Sequence, residues 1–73
     1  MGQLRKQFAK RLKELRQQKG MTQEDLAKAT GLSVSFIRAV EQGINSPSFN
    51  SLETISSALG LDVKQLFDFN EEH

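Results

Sequence analysis

The chain has no cysteine, so neither a disulfide frame nor a thiolate metal site is available to it, and a reducing compartment such as the cytoplasm is permitted. Its one histidine is the final residue, His73, and no pair of acids stands in a cleft motif. General acid–base and nucleophilic catalysis therefore have no visible machinery, and the chain is expected to be no enzyme, with no cofactor and no metal. No apolar run reaches the eighteen or so residues that a membrane span needs, and the first twenty residues are charged and amphipathic, unlike a secretory signal. Strict alternation of apolar and polar residues, the mark of a half-buried strand, is missing as well. There is no repeat, linker or low-complexity stretch, and the single proline is Pro47.

What is present fits one small domain. Seventy-three residues lie near the lower limit for a chain that must fold on an apolar core alone. The net charge of +1 hides an uneven distribution. Residues 1–19 hold seven cations (Arg5, Lys6, Lys10, Arg11, Lys13, Arg16, Lys19) and one acid, Glu14, a net of +6. The rest holds three cations and eight acids, a net of −5, with Asp62, Asp68, Glu71 and Glu72 all after position 60. A basic half and an acidic half suit a protein that turns one face to a polyanion and the other away.

The apolar spacing predicts helices throughout, interrupted at glycine and proline. Leu4, Phe8, Leu12 and Leu15 form one stripe of a first helix ending near Lys19. Thr22 is placed to cap a second helix, with Asp25 reaching back as the other half of a capping box and Met21 and Leu26 in the positions of a hydrophobic staple. That helix ends near Ala29. Thr30-Gly31-Leu32 is read as a tight turn, and Ser33 as the cap of a third helix from Val34 to about Gln42. Gly43 stops it. Ser48 is read as the cap of a fourth helix with Phe49, Leu52, Ile55, Ser56 and Leu59 facing inward, and Asp62 as the cap of a short fifth helix carrying Val63, Leu66 and Phe67. Residues 70–73 read as a frayed tail after a domain spanning 1–69.

An eight-residue helix, a three-residue turn with glycine and a nine-residue helix have the geometry of the DNA-binding helix-turn-helix, whose second helix enters the groove. Ala27 supplies the small side chain that such a crossing needs, and Leu32, Ile37 and Val40 the apolar wedge beneath it. On the wheel of the third helix Ile37, Val40 and Glu41 gather on one side, while Val34, Ser35, Arg38, Ala39 and Gln42 spread over the other.

Arg16, the run Lys19-Gly20-Met21-Thr22-Gln23-Glu24-Asp25-Leu26-Ala27, Gly31-Leu32-Ser33, Ile37, Glu41, Gly43, and the stretch from Pro47-Ser48 to Leu59-Gly60-Leu61 together resemble the phage repressor and Cro (XRE-type) family. The likeness runs from about Leu4 to Phe67. It implies an all-α, five-helix repressor-like fold and sequence-specific binding of double-stranded DNA by a transcriptional regulator of bacterial or phage origin, in the cytoplasm. It assigns base contacts chiefly to Val34, Ser35 and Ala39, with Phe36 and Arg38 contributing in some members, and backbone contacts to Thr22 and Gln23 and to the loop residues Asn45, Ser46 and Ser48. Ser33 and Gln42 flank the third helix as further backbone candidates. Arg16 and Glu41 match positions that pair in the family.

The chain departs from the better-known members in offering few amides on the third helix. Val34 and Ala39 suit thymine methyl groups, while Arg38 suits a guanine edge or a phosphate, so specificity is expected to lean on Arg38, Ser35 and DNA shape. Phe36, at the border of the two faces, reads equally as core and as a contact to the groove wall. Few cations lie in the 45–48 loop, and Arg5, Lys10 and Arg11 of the first helix stand as equal candidates to compensate.

One such module contacts only a few base pairs, so a homodimer on a palindromic operator is expected. The apolar end built from Leu61, Val63, Leu66, Phe67 and Phe69 offers a subunit contact, with Leu61, Val63 and Phe67 as its candidates. The alternative is an antitoxin-type module that binds its operator and also a toxin through the acidic end.

Overall fold

The computed structural model describes residues 3–69; the tail expected at 70–73 lies outside them. Five helices follow in order: α1 Gln3–Gln18, α2 Gln23–Thr30, α3 Val34–Glu41, α4 Phe49–Leu59 and α5 Val63–Leu66. Among the described residues there is no strand. The first helix lies against α3 and α5, α2 lies against α3 and α4, and α4 carries α5.

The core takes side chains from every element: Phe8, Leu12 and Leu15 of α1, Leu26 and Ala27 of α2, Ile37 and Val40 of α3, Leu52, Ile55 and Leu59 of α4, and Leu66 of α5. Each helix thus buries one stripe and none could keep its apolar face covered alone. Two residues of the expected stripes lie outside this core. Leu4 is 56% exposed and Phe49 is 87% exposed. Periodicity fixes an angle around the helix axis, but both residues stand in the first turn of their helices, beyond the last layer of neighbours. The buried stripe of α4 therefore begins at Leu52, with Ile55, Ser56 and Leu59 below it.

The connection between α2 and α3 is tied by its own polar groups. Thr30 completes α2 instead of opening the turn, and its hydroxyl donates to the Leu26 carbonyl at 2.8 Å while accepting the Leu32 N–H at 3.2 Å. Gly31 then takes the left-handed conformation, φ 75°, and its N–H donates to the Ala27 carbonyl. A β-carbon there would be strained, so the sharp reversal that sets α3 across α2 depends on glycine.

Between α1 and α5, Arg11 is only 3% exposed and its Nε donates to the Gln65 carbonyl at 3.0 Å. This removes Arg11 from the three cations considered for DNA: its guanidinium ties α1 to α5, where the carbonyl offsets its desolvation.

Candidate nucleic-acid interface

The N-terminus of α2 is built as the sequence dictates. Thr22 Oγ1 accepts the Asp25 N–H at 3.0 Å, and Asp25 Oδ2 accepts the Thr22 N–H at 2.9 Å. The Thr22 N–H donating to the carboxylate, helped by the Thr22 hydroxyl, holds the Asp25 carboxyl below its ordinary value of 3.8, and Lys28 adds a smaller pull in the same direction. Met21, half-buried, and Leu26, fully buried, close the apolar side of this start.

Beneath it sits a charged joint. Arg16 Nε donates to Glu41 Oε2 at 2.7 Å and Nη2 donates to Glu41 Oε1 at 3.0 Å, while Nη1 donates to the Met21 carbonyl at 2.7 Å. The side chains are 8% and 3% exposed, so the pair is desolvated and three elements meet at it: α1, the α1–α2 turn and the end of α3. Gln23 joins the same carboxylate, its Nε2 donating to Glu41 Oε1 at 3.1 Å. The acid of α3 is thereby paired inside the protein and does not face outward as a lone charge.

The outer side of α3 is capped by Ser33, whose hydroxyl accepts the Phe36 N–H at 3.0 Å. Ser35 and Arg38 are exposed, Val34 and Ala39 are half-buried, and Phe36 is half-buried against the core. Thr22, Gln23, Val34 and Arg38 line one shallow notch between α2 and α3, together with Glu24. Sequence reasoning did not single out Glu24, which brings a negative charge to a surface otherwise suited to phosphate; no spacing signal marks it. Gln42 is exposed at the C-terminal end of α3.

The α3–α4 loop starts at Gly43, φ 76°, where the N–H groups of Ile44 and Asn45 both donate to the Ala39 carbonyl at 2.9 and 3.2 Å. Asn45, Ser46 and Ser48 are exposed along it. Ser48 Oγ caps α4 by accepting the Ser51 N–H at 3.1 Å, and Ser46 Oγ accepts from Arg5 Nε at 3.2 Å. The structure thus separates the expected contact residues into two groups, one around the α2–α3 notch and one on the loop.

Of the residues proposed from sequence for the subunit contact, Phe67 lines one cavity with Asn45, Ser46 and Pro47 of the loop, beside Arg5 and Phe8. Leu61, Val63 and Phe67 are half-buried and packed against the core. The Phe67 ring sits 5.0 Å from that of Phe8 and 6.2 Å from that of Phe69. The large apolar side chains with the most exposure are instead Leu4, Ile44 and Phe49. Among the described residues no cluster of His, Cys, Asp or Glu is arranged to hold a metal ion, and no helix is long and apolar enough to cross a membrane.

Two short helices at a tight glycine turn, braced by a third and presenting the outer side of the second, define a helix-turn-helix domain. The chain belongs to the helix-turn-helix family HTH_3, whose family model matches residues 12–66. It is similar to the restriction-modification controller protein C.AhdI of Aeromonas hydrophila, with a TM-score of 0.84 and 36% identity over 86% of this chain and 96% of that one. The control protein C.BamHI of Bacillus amyloliquefaciens is 36% identical over 63 residues, 85% of this chain and 78% of that protein. The transcriptional regulator DdrOP3 of Deinococcus deserti is 34% identical over 61 residues, 84% of this chain. This chain spans about half of DdrOP3 (47%) and about a third of the Escherichia coli regulator PuuR (34%).

Proposed function

We propose that this chain is the DNA-binding domain of a transcriptional regulator, with α3 as the recognition helix in the major groove. The observation that carries the reading is the pairing of a buried Arg16–Glu41 joint with an outer face that leaves Ser35 and Arg38 exposed. A helix held that firmly from behind can present side chains to base edges without first ordering itself. The similarity to controller proteins over nearly the whole of C.AhdI supports the same assignment.

In this reading Arg38 reads a guanine edge or grips a phosphate, Ser35 adds a hydroxyl, and Val34 and Ala39 face thymine methyl groups. Phe36, packed against the core, flanks that surface. Thr22, Gln23, Ser33 and Gln42 meet the backbone on one side, and Asn45, Ser46 and Ser48 on the other. Gln23 retains an N–H beyond the one given to Glu41, and that donor serves a phosphate. Two copies on a palindrome, joined through Leu61, Val63 and Phe67, supply the length of site that one domain lacks.

Selection of bound duplexes from a random pool tests this reading. A two-fold symmetric consensus is expected, with half-sites about one helical turn (~34 Å) apart. An asymmetric consensus contradicts the dimer, and no enrichment contradicts DNA binding altogether.

A further inference from the structure

We propose that Arg5, in the first turn of α1, is the phosphate-neutralising cation of the α3–α4 loop; the proposal rests on the DNA-binding reading above. The loop has a charge deficit. From Ala39 to Val63 the sequence holds no lysine or arginine, although it includes the loop residues that the DNA-binding reading sets on the backbone. Asparagine and serine donate hydrogen bonds to phosphate oxygens but release no counterion, so this stretch alone contributes nothing to the salt-dependent part of binding.

The fold brings a cation to it from 41 positions away. Arg5 Nε donates to Ser46 Oγ at 3.2 Å, and Nη1 makes a longer contact to the Ile44 carbonyl at 3.4 Å. The next residue, Lys6, is seated by the same junction, its Cγ lying 3.6 Å from where a β-carbon on Gly43 would stand. The first turn of α1 is thus laid over the exit of the recognition helix.

A guanidinium carries five N–H donors, and these two contacts use one on Nε and one on Nη1. The remaining three belong to an exposed side chain and are free to meet phosphate oxygens in the planar fork that arginine offers them. Of the three α1 cations that sequence left as equals, Arg11 is buried against α5, and Arg5 is hydrogen-bonded to the loop. Ser46 then has two roles. It is a backbone contact itself, and its hydroxyl orients the guanidinium beside it.

Salt dependence of binding to the selected duplex tests this directly, because one neutralised phosphate changes the slope of log K against log salt by about 0.9. Arg5→Gln is expected to flatten the slope by that amount, so that its affinity falls about 3.5-fold less than the wild type's between 50 and 200 mM salt. Arg5→Lys is expected to restore the slope while binding more weakly, since it keeps the charge and loses the fork. Lys64→Gln, an equal change of net charge on α5, is expected to leave the slope as it was. Circular dichroism checks that each variant is folded. If wild type and Arg5→Gln both bind with the same slope, or if Lys64→Gln flattens it equally, the assignment of Arg5 is overturned while the DNA-binding reading stands. Failure of the wild type to bind any duplex brings down both.

Discussion

Arg38 is exposed on the outer side of α3, in the notch shared with Thr22, Gln23, Glu24 and Val34. With Val34 and Ala39 limited to methyl contacts, it is the one cation that α3 carries, and discrimination between bases is expected to depend on it. Arg38→Ala should weaken specific binding by about 1–3 kcal/mol if the guanidinium meets a guanine, with relaxed preference at one position of each half-site. A uniform loss across all sequences, read by competition with mutated duplexes, would assign it to phosphate instead. At the same scale, the Thr22–Asp25 box predicts a pH dependence. A carboxyl held below its ordinary 3.8 in the folded state adds stability above that value, and the gain is lost as pH falls through the lower folded value. Asp25→Asn should therefore flatten the acid limb of a plot of Tm against pH, and an unchanged limb would contradict the box. Thr22→Ala should cost about 1 kcal/mol at neutral pH.

At the scale of elements, the joint formed by Arg16, Glu41 and Gln23 locks α3 to α1 and α2. Because the carboxylate is buried, removing its partner leaves an unpaired charge, which costs about 3–5 kcal/mol against about 1 or less for an exposed pair. Arg16→Ala should thus lower stability far more than Arg38→Ala, and denaturant titration of the two variants separates them. Equal midpoints would show that the pair does not hold the recognition helix. The five helices, their serine and threonine caps and the turn glycine were legible because each rests on local chemistry within three or four residues. What escaped was decided at long range. Phe49 has the right angle for the α4 stripe but stands past the end of the core, and Arg11 looks like surface charge until a carbonyl 54 positions away covers it. Gln23 reads as a plain backbone donor, yet its amide is already committed in part to Glu41, which only the crossing of α2 and α3 brings near. Arg5 could be named among candidates but not chosen, since nothing local ties it to Ser46.

For the domain as a whole, 73 residues and a core of 11 apolar residues among those described leave little reserve. At about 0.05–0.15 kcal/mol per residue the domain has roughly 4–11 kcal/mol of stability, so Ile37→Ala, at about 2–5 kcal/mol, should bring it close to unfolding at moderate temperature. The proposed subunit contact belongs to this scale as well. Val63→Lys should shift sedimentation from dimer toward monomer with helicity retained, because Val63 is half-buried at the start of α5 and no fully buried atom set is lost. A dimer that survives the change would move the contact elsewhere, with exposed Leu4, Ile44 and Phe49 as the next apolar surface to examine. The charge asymmetry also acts globally. In the proposed complex it would favour an approach with the exposed cations of α1 toward the polyanion.

The outer side of α3 is proposed to enter the major groove. Since the chain has no cysteine, Ser35→Cys creates a single attachment point for a DNA-cleaving iron chelate. On the selected duplex, strand cuts are predicted within each half-site, with the offset between strands that a major-groove source produces. Cuts confined to flanking DNA, or none beyond those given by the same chelate attached through Lys64→Cys, would place α3 outside the groove.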